Sequence, residues 1–363
     1  MALSLPDFPW DSLEPYRNTA RQHPGGVIDL SIGSPIDATP DVARNALNAA
    51  SNSPSYPLTA GSLELREAIA AWWERRRNTG PLSIHNVIPT IGSKEMVGLL
   101  PMLLGLRSSD AVVIPTIAYP TYAIGAHLMD AQIVVADDPD LWPENTKLVW
   151  LNSPGNPTGE VLSVEHLTKA VTKARELGAV LVSDECYAEM PWDVERVPSL
   201  LDQEVTEGNL HGLLALYSTS KQSNLAGYRA AVMAGDDDLI EQILLVRKHV
   251  GLIPPAPIQA ALRAVLADDE HVAVQRERYR ARRAVVSEAV SSAGFTIDHS
   301  EAGLYLWATR GENCWDTVAW CAARGLLVTP GVFYGEGGIQ HVRIALTATD
   351  QDCVTAAERL SQR

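Results

Sequence analysis

The sequence is poor in cysteine, in positive charge and in long apolar runs. Its four cysteines, at 186, 314, 321 and 353, form no Cys-x-x-Cys and no His/Cys set with zinc-ligand spacing. That removes the sequence support for a metal site or a disulfide framework and leaves reduced core thiols as the expectation. Lysine and arginine number 29 against 44 aspartates and glutamates, a net charge of −15. Such a field repels nucleic acid and anionic membrane surfaces. No stretch approaches the roughly 20 apolar residues of a membrane-spanning helix. Residues 1–10 have no basic start followed by an apolar run, so the cytoplasm is the expected compartment. There is no G-x-x-x-x-G-K-[ST] and no G-x-G-x-x-G, which removes the usual support for nucleotide binding. Internal repeats and low-complexity segments are also missing. What remains is a chain of 363 residues, 46% hydrophobic and 20% charged, long enough to bury one large core or two smaller ones.

What the sequence does contain is gathered around one lysine. Residues 213–217 are a short apolar run suited to a buried strand, and residues 218–227 are small and polar, as in a loop. Lys221 therefore falls at the carboxyl end of a strand. Open α/β sheets bind ligands there, and an amine held at that point can condense with an aldehyde cofactor, pyridoxal phosphate (PLP) being the candidate. Ser218 offers a hydroxyl and Arg229 a guanidinium fork for the cofactor phosphate. Taken alone, the segment is equally an ordinary solvated loop, and the rest of the chain has to decide.

From residue 87 onward, apolar runs alternate with helical or loop segments, the pattern of a largely parallel sheet with helices on both faces. Seven runs qualify as strands: 87–91, 111–115, 132–136, 148–151, 179–183, 213–217 and 230–234. Helices are expected at 95–104, 122–128, 164–177 and 237–249, and another after Gly61. Residues 1–35 read as an arm joining a small domain, 36–255 as a large domain and 256–363 as a small α+β domain, with a hinge in the proline-rich 251–257. In the small domain a long polar helix, 270–292, precedes strands at 295–298, 304–308, 326–329 and 341–346. The arginines of that helix are interleaved with Glu277 and Ala281 and read as a solvated face.

Several strand ends carry groups with chemistry to offer. Gly92-Ser93-Lys94 stands between a strand and a helix, where free N–H groups and the helix dipole attract an anion. Lys94 either touches that anion or the substrate, or faces solvent. Tyr119 and Tyr122 are both placed to lay a ring over a flat heterocycle, or to pack. Asn152-Ser-Pro-Gly-Asn156-Pro-Thr-Gly159 is a rigid, turn-rich loop that fixes the amide of Asn156. Asp184 ends an apolar strand, and a buried carboxylate needs a cation such as a protonated pyridine nitrogen; a helix N-cap is the other reading. Tyr187 follows three residues later. Gly33 either lets a ligand approach the backbone or makes a plain turn. Tyr56 lies in a loop and Arg343 on a strand.

Ser218-x-x-Lys221-x7-Arg229 resembles the lysine motif of the class I/II aminotransferases, the fold-type-I PLP enzymes. The likeness runs from about residue 27 to the end of the chain. It takes in Tyr56-x4-Gly61-x3-Leu-Arg, the Asn152–Gly159 loop and Asp184-x-x-Tyr187. One departure is Ser153 at a family proline position, with proline following at 154; Asn156 is untouched. The resemblance implies a fold-type-I PLP-dependent transferase, α/β, with a seven-stranded, mostly parallel sheet in the large domain. It implies Lys221 as covalent anchor and proton carrier, Asp184 on the pyridine nitrogen, Asn156 and Tyr187 on the phenolic oxygen and Tyr119 on the ring face. Ser93, Lys94, Ser218 and Arg229 would surround the phosphate, and Tyr56 would reach the phosphate of the partner subunit in a homodimer. Gly33, Asn156 and Arg343 would meet the substrate, Arg343 gripping its α-carboxylate. Gly92-Ser-Lys-Glu95 and the compact length are similar to bacterial N-succinyldiaminopimelate aminotransferases. That similarity implies small amino and keto acids as partners, with L-glutamate as donor and N-succinyl-2-amino-6-oxopimelate as acceptor. Aromatic, alanine or aspartate aminotransferases, PLP lyases and, more remotely, a non-enzymatic PLP sensor are the other readings.

Overall fold

The computed structural model describes residues 5–362. After a short β1 (Ile28–Asp29), the seven apolar runs become β2 (Val87–Ile91), β3 (Ala111–Ile114), β4 (Gln132–Val135), β5 (Thr146–Asn152), β6 (Val180–Asp184), β7 (Leu213–Ser218) and β8 (Ala230–Gly235). They pair in the order β2-β8-β7-β6-β5-β3-β4. Strands β4, β3, β5, β6 and β7 are mutually parallel, whereas β8 runs against both β7 and β2. Central parallel strands are buried on both faces and need continuous apolar sequence, which Ala111-Val-Val-Ile and Leu213-Leu-Ala-Leu-Tyr supply. Pro89 is tolerated in β2 because that strand is an edge with one neighbour.

Trp72 and Trp73 of helix Leu63–Arg77, with Leu167 and Val171 of helix Val164–Leu177, close one face of the sheet. Met96, Val97 and Leu100 of helix Ser93–Leu103, with Ile240 and Ile243 of helix Asp237–Val250, close the other. Each such burial contributes about 1.5–3 kcal/mol. The Ser62 and Ser163 hydroxyls accept from Leu65 N and His166 N, so the first turns of two of these helices are capped by their own sequence.

The second body is an antiparallel sheet of β9 (Thr296–Asp298), β10 (Tyr305–Thr309), β12 (Thr329–Pro330) and β13 (His341–Ala345), in the order β12-β13-β10-β9. The single strand expected at 326–329 is split. Its first part, β11 (Leu326–Leu327), pairs in parallel with β1, and only β12 joins β13. The arm is the reason: Leu30 N donates to the Leu327 carbonyl and Ala345 N to the Leu30 carbonyl, both at 2.8 Å, so residues 28–30 take the bonds a continuous strand would have used. Leu13, Ile28 and Leu30 of the arm share a core with Val286, Val290, Leu306 and Ile344. Past the turn at 251–257, helix Ala256–Leu266 still sends Leu262 and Leu266 into the core beside Trp72. The 23-residue helix Glu270–Ser292 then crosses to the small sheet. Its arginine face is not uniformly solvated, because Arg282 is buried against Asp37 and Asp350.

Candidate active site

Strands β2, β3, β5, β6 and β7 end on one side of the sheet, and the segments that follow them enclose a cavity of about 850 Å³. Every residue expected at the site lines it, except Tyr56. At the end of β7 the Ser218 hydroxyl accepts from Ser220 N and caps a one-turn helix, Thr219–Gln222, so Lys221 stands on a helical turn where a loop was expected. Its ammonium donates to the Gly33 carbonyl. Gly33 has no room for a side chain, since a Cβ there would strike the Tyr305 hydroxyl. Arg229, with left-handed backbone at φ 55°, lays its guanidinium where a Gly92 side chain would be. Gly92 precedes helix Ser93–Leu103, so that guanidinium and the free N–H groups of the helix start share one corner of the cavity.

Asp184 ends β6, buried, and its carboxylate accepts from the Tyr122 hydroxyl at 3.1 Å and from Cys186 N at 3.2 Å. Among the described residues no cation pairs with it. Burial pushes the carboxyl above its ordinary range, against hydrogen bonds from Cys186 and Tyr122 that pull it down. The Tyr187 and Tyr305 hydroxyls lie 2.9 Å apart. Burial raises Tyr187 well above the usual phenol range. Burial acts on Tyr305 in the same sense but is outweighed there by the charges of Arg343 and Lys221 and the hydrogen bond with Tyr187, which lower it.

Arg343, on β13 and only 4% exposed, donates to Asn156 Oδ1 at 2.9 Å and to the Ser31 carbonyl at 2.7 Å. Its guanidinium lies 4.1 Å from the Tyr305 ring centroid, and its Nε has no partner. Among the described residues no carboxylate pairs with it. Asn156 is fixed from below, its N–H donating to Asn152 Oδ1 at 2.7 Å while Asn152 Nδ2 donates to the Asp184 carbonyl at 2.8 Å. Tyr119 is half-buried at the cavity wall. Lys94 is exposed, with its ammonium 6.0 Å from the Tyr119 ring centroid and 5.8 Å from that of Phe8. Tyr56 is 97% exposed in the single chain.

Three contributors were not foreseen as site residues, and a fourth, Tyr122, takes a part different from the ring contact or packing expected of it. Tyr122 packs in helix Thr121–His127, as one reading of it held, yet its hydroxyl is a partner of Asp184. Tyr305 enters through register, since it pairs with Ala345, two residues along β13 from Arg343. The Cys186 thiol, raised by burial, donates to Ser93 Oγ at 3.3 Å. Trp10 stacks on Phe8 with ring centroids 5.4 Å apart and meets Phe333 at a tilt with centroids 5.3 Å apart, forming an aromatic wall of the cavity. The sequence carried a hint only for Tyr122 and Cys186, which neighbour singled-out motifs.

A match to the family described as aminotransferase class I and II spans residues 25–360. The chain belongs to this family. The aminotransferase is 52% identical over 98% of its length to 4-dedimethylamino-4-oxo-anhydrotetracycline transaminase of Streptomyces rimosus, covering 99% of that protein. It is 51% identical over 99% of its length to a "probable aminotransferase" of Mycobacterium tuberculosis, covering 86% of that chain. Among solved structures it resembles a "probable N-succinyldiaminopimelate aminotransferase" of Thermus thermophilus, with a TM-score of 0.87 at 27% identity and coverage of 97% and 99%. The family uses pyridoxal 5′-phosphate. The residues present fit that group: one amine, one buried carboxylate without a cation, and a corner where a glycine leaves space for a guanidinium at a helix start. Among the described residues no cluster suited to a metal ion occurs, and no helix is long and apolar enough to cross a membrane.

Proposed function

We propose that this aminotransferase moves the amino group of L-glutamate to the oxo carbon of N-succinyl-2-amino-6-oxopimelate, a step of diaminopimelate and lysine formation, as a cytoplasmic homodimer. The observation that carries amino-acid chemistry is Arg343, a buried guanidinium with no carboxylate partner among the described residues, in the same cavity as Lys221. Such a charge asks for an anion, and a substrate α-carboxylate supplies it bidentately. Bound PLP would supply the electron sink for the substrate α-carbon. Lys221 would anchor the cofactor, and its Nζ, when free, would carry the proton of the substrate α-carbon. Asp184 would pair with the protonated pyridine nitrogen. Asn156 and Tyr187 would hold the phenolic oxygen, Tyr119 would cover the ring, and Ser93, Lys94, Ser218 and Arg229 would hold the phosphate, joined in a homodimer by the partner subunit's Tyr56.

Lys94 supports the succinylated acceptor, because its ammonium lines the cavity with no ion pair among the described residues and can meet a distal carboxylate. A second reading, a bulky aromatic oxo acceptor, is favoured by the wall of Phe8, Trp10 and Phe333 and by the likeness to the anhydrotetracycline transaminase. We take residues 36–255 with the helix that follows as the large domain. The remainder, with the arm 1–35, is then the small one. The test is an absorbance scan of the PLP-loaded protein before and after L-glutamate. Loss of the lysine-linked visible band, reversed by an oxo acceptor, is the expected result. The acceptor that reverses it at the lowest concentration decides between the readings, and a band that glutamate leaves unchanged would overturn amino transfer.

A further inference from the structure

Two residues of helix Glu270–Ser292, one turn apart and lining no part of the cavity, meet the chain immediately after Lys221. Ser223 Oγ lies 2.8 Å from His271 Nε2, and His271 Nδ1 lies 3.1 Å from Asp268 Oδ1. A carboxylate only accepts, so Nδ1 carries a ring proton; with the imidazole neutral, Nε2 accepts and Ser223 donates. Gln222 Nε2 donates to the same Ser223 oxygen at 3.2 Å, and the Tyr217 hydroxyl donates to Gln222 Oε1. The chain Tyr217, Gln222, Ser223, His271, Asp268 therefore has one direction. It starts in β7, passes through both residues that follow Lys221 and ends on a charge. Serine, histidine and aspartate in this order also suggest a hydrolytic nucleophile, but Ser223 is 1% exposed and lines no part of the cavity, so no substrate carbonyl reaches it.

One turn on, Asn224 Nδ2 donates to Gln275 Oε1 at 3.0 Å, and Gln275 Nε2 donates to Asp37 Oδ2 at 2.8 Å. Asp37 is also gripped by both terminal nitrogens of Arg282, at 2.7 and 2.8 Å. It lies four residues after Gly33, whose carbonyl accepts from the Lys221 ammonium. These contacts close a ring: from the lysine amine to Gly33, along the arm to Asp37, through Gln275 to Asn224, and back along the chain to Lys221.

We propose that His271 and Gln275 are positioning residues for Lys221, holding in one frame the backbone flank of the lysine and the arm that receives its amine. The inference rests on Lys221 being the cofactor anchor. Gln275→Glu separates the two halves of the ring, because the new carboxylate still accepts from Asn224 but faces Asp37 with an oxygen where an N–H stood. Ser223→Ala removes the donor to His271, and Val274→Ala, at an exposed position of the same helix, is the control. On each PLP-loaded protein two quantities are read: the pH midpoint of the lysine-linked visible band and the rate of cofactor release on dilution. Gln275→Glu and Ser223→Ala are expected to move the midpoint and to speed release by about threefold or more, the scale of coupling between residues in one hydrogen-bond network, while Val274→Ala does neither. Two variants that give the wild-type circular dichroism spectrum and leave both quantities unchanged would overturn the proposal. A wild-type protein that shows no lysine-linked band would overturn the assignment of Lys221 itself, and the proposal with it, so the two failures are told apart.

Discussion

At the scale of single residues, the site holds two buried charges, Asp184 and Arg343, with no oppositely charged partner among the described residues. Lys221→Ala is expected to cut turnover by at least about 10²–10⁴-fold, the range for a positioned proton carrier, while PLP still binds without the lysine-linked band; an assay beside an absorbance scan checks both. Arg343→Ala is expected to raise KM for L-glutamate and lower kcat/KM by roughly 30-fold or more, because truncating one partner of a buried charge pair costs about 2–5 kcal/mol. An unchanged KM for every carboxylate substrate would refute that role. Gly33→Ala puts a Cβ against the Tyr305 hydroxyl. It is expected to perturb the same spectral band as Lys221→Ala, since the segment that carries the amine's acceptor must shift. The sequence offered Gly33 as a point where a ligand approaches the backbone or as a plain turn, and in the structure it is the Tyr305 hydroxyl that lies against it. That approach of a tyrosine from β10 was not legible in the sequence, because Tyr305 and Gly33 are brought together only when the arm adds to the small body.

At the scale of elements, the apolar runs gave all seven strands of the large sheet close to their observed bounds. Fully buried parallel strands leave a continuous hydrophobic signal that needs no tertiary knowledge to read. The two-residue β11 and β12 left no such signal, since their pairing depends on the arm. The arm is itself tied to helix Glu270–Ser292 through Asp37. Burial alone would raise the Asp37 carboxyl, but hydrogen bonds from Arg282 and Gln275 and the charges of Arg282 and Arg278 outweigh it and hold the group below its ordinary value. A depressed folded pKa gives stability that is complete above the unfolded value, about 3.9 for aspartate, and is lost as pH falls through the folded value. Thermal melts between about pH 5 and about pH 3 should therefore fall more steeply for the wild type than for Asp37→Asn. Equal slopes would show that the link contributes no pH-dependent stability.

At the scale of the whole molecule, Tyr56 stands 97% exposed with Leu58 beside it at 63%, an arrangement that suits burial against a second copy of the chain. Sedimentation of the active protein is expected to give a dimer, and Tyr56→Phe to weaken PLP retention without changing that mass; a fully active monomer would remove the role given to Tyr56. The sequence by itself determined the class of fold, the lysine and its motif, the buried acid and the asparagine loop, because each is a local pattern: a run, a spacing or a strand end. Only the tertiary structure decided that Arg343 is buried with no carboxylate partner among the described residues, that the Tyr122 and Tyr305 hydroxyls meet Asp184 and Tyr187, and that helix Glu270–Ser292 bonds both to residues 223–224 and to Asp37. Those relations join residues up to 312 positions apart, as Arg343 and Ser31 are. No local pattern encodes them, since what places the partners together is the packing of two bodies and an arm.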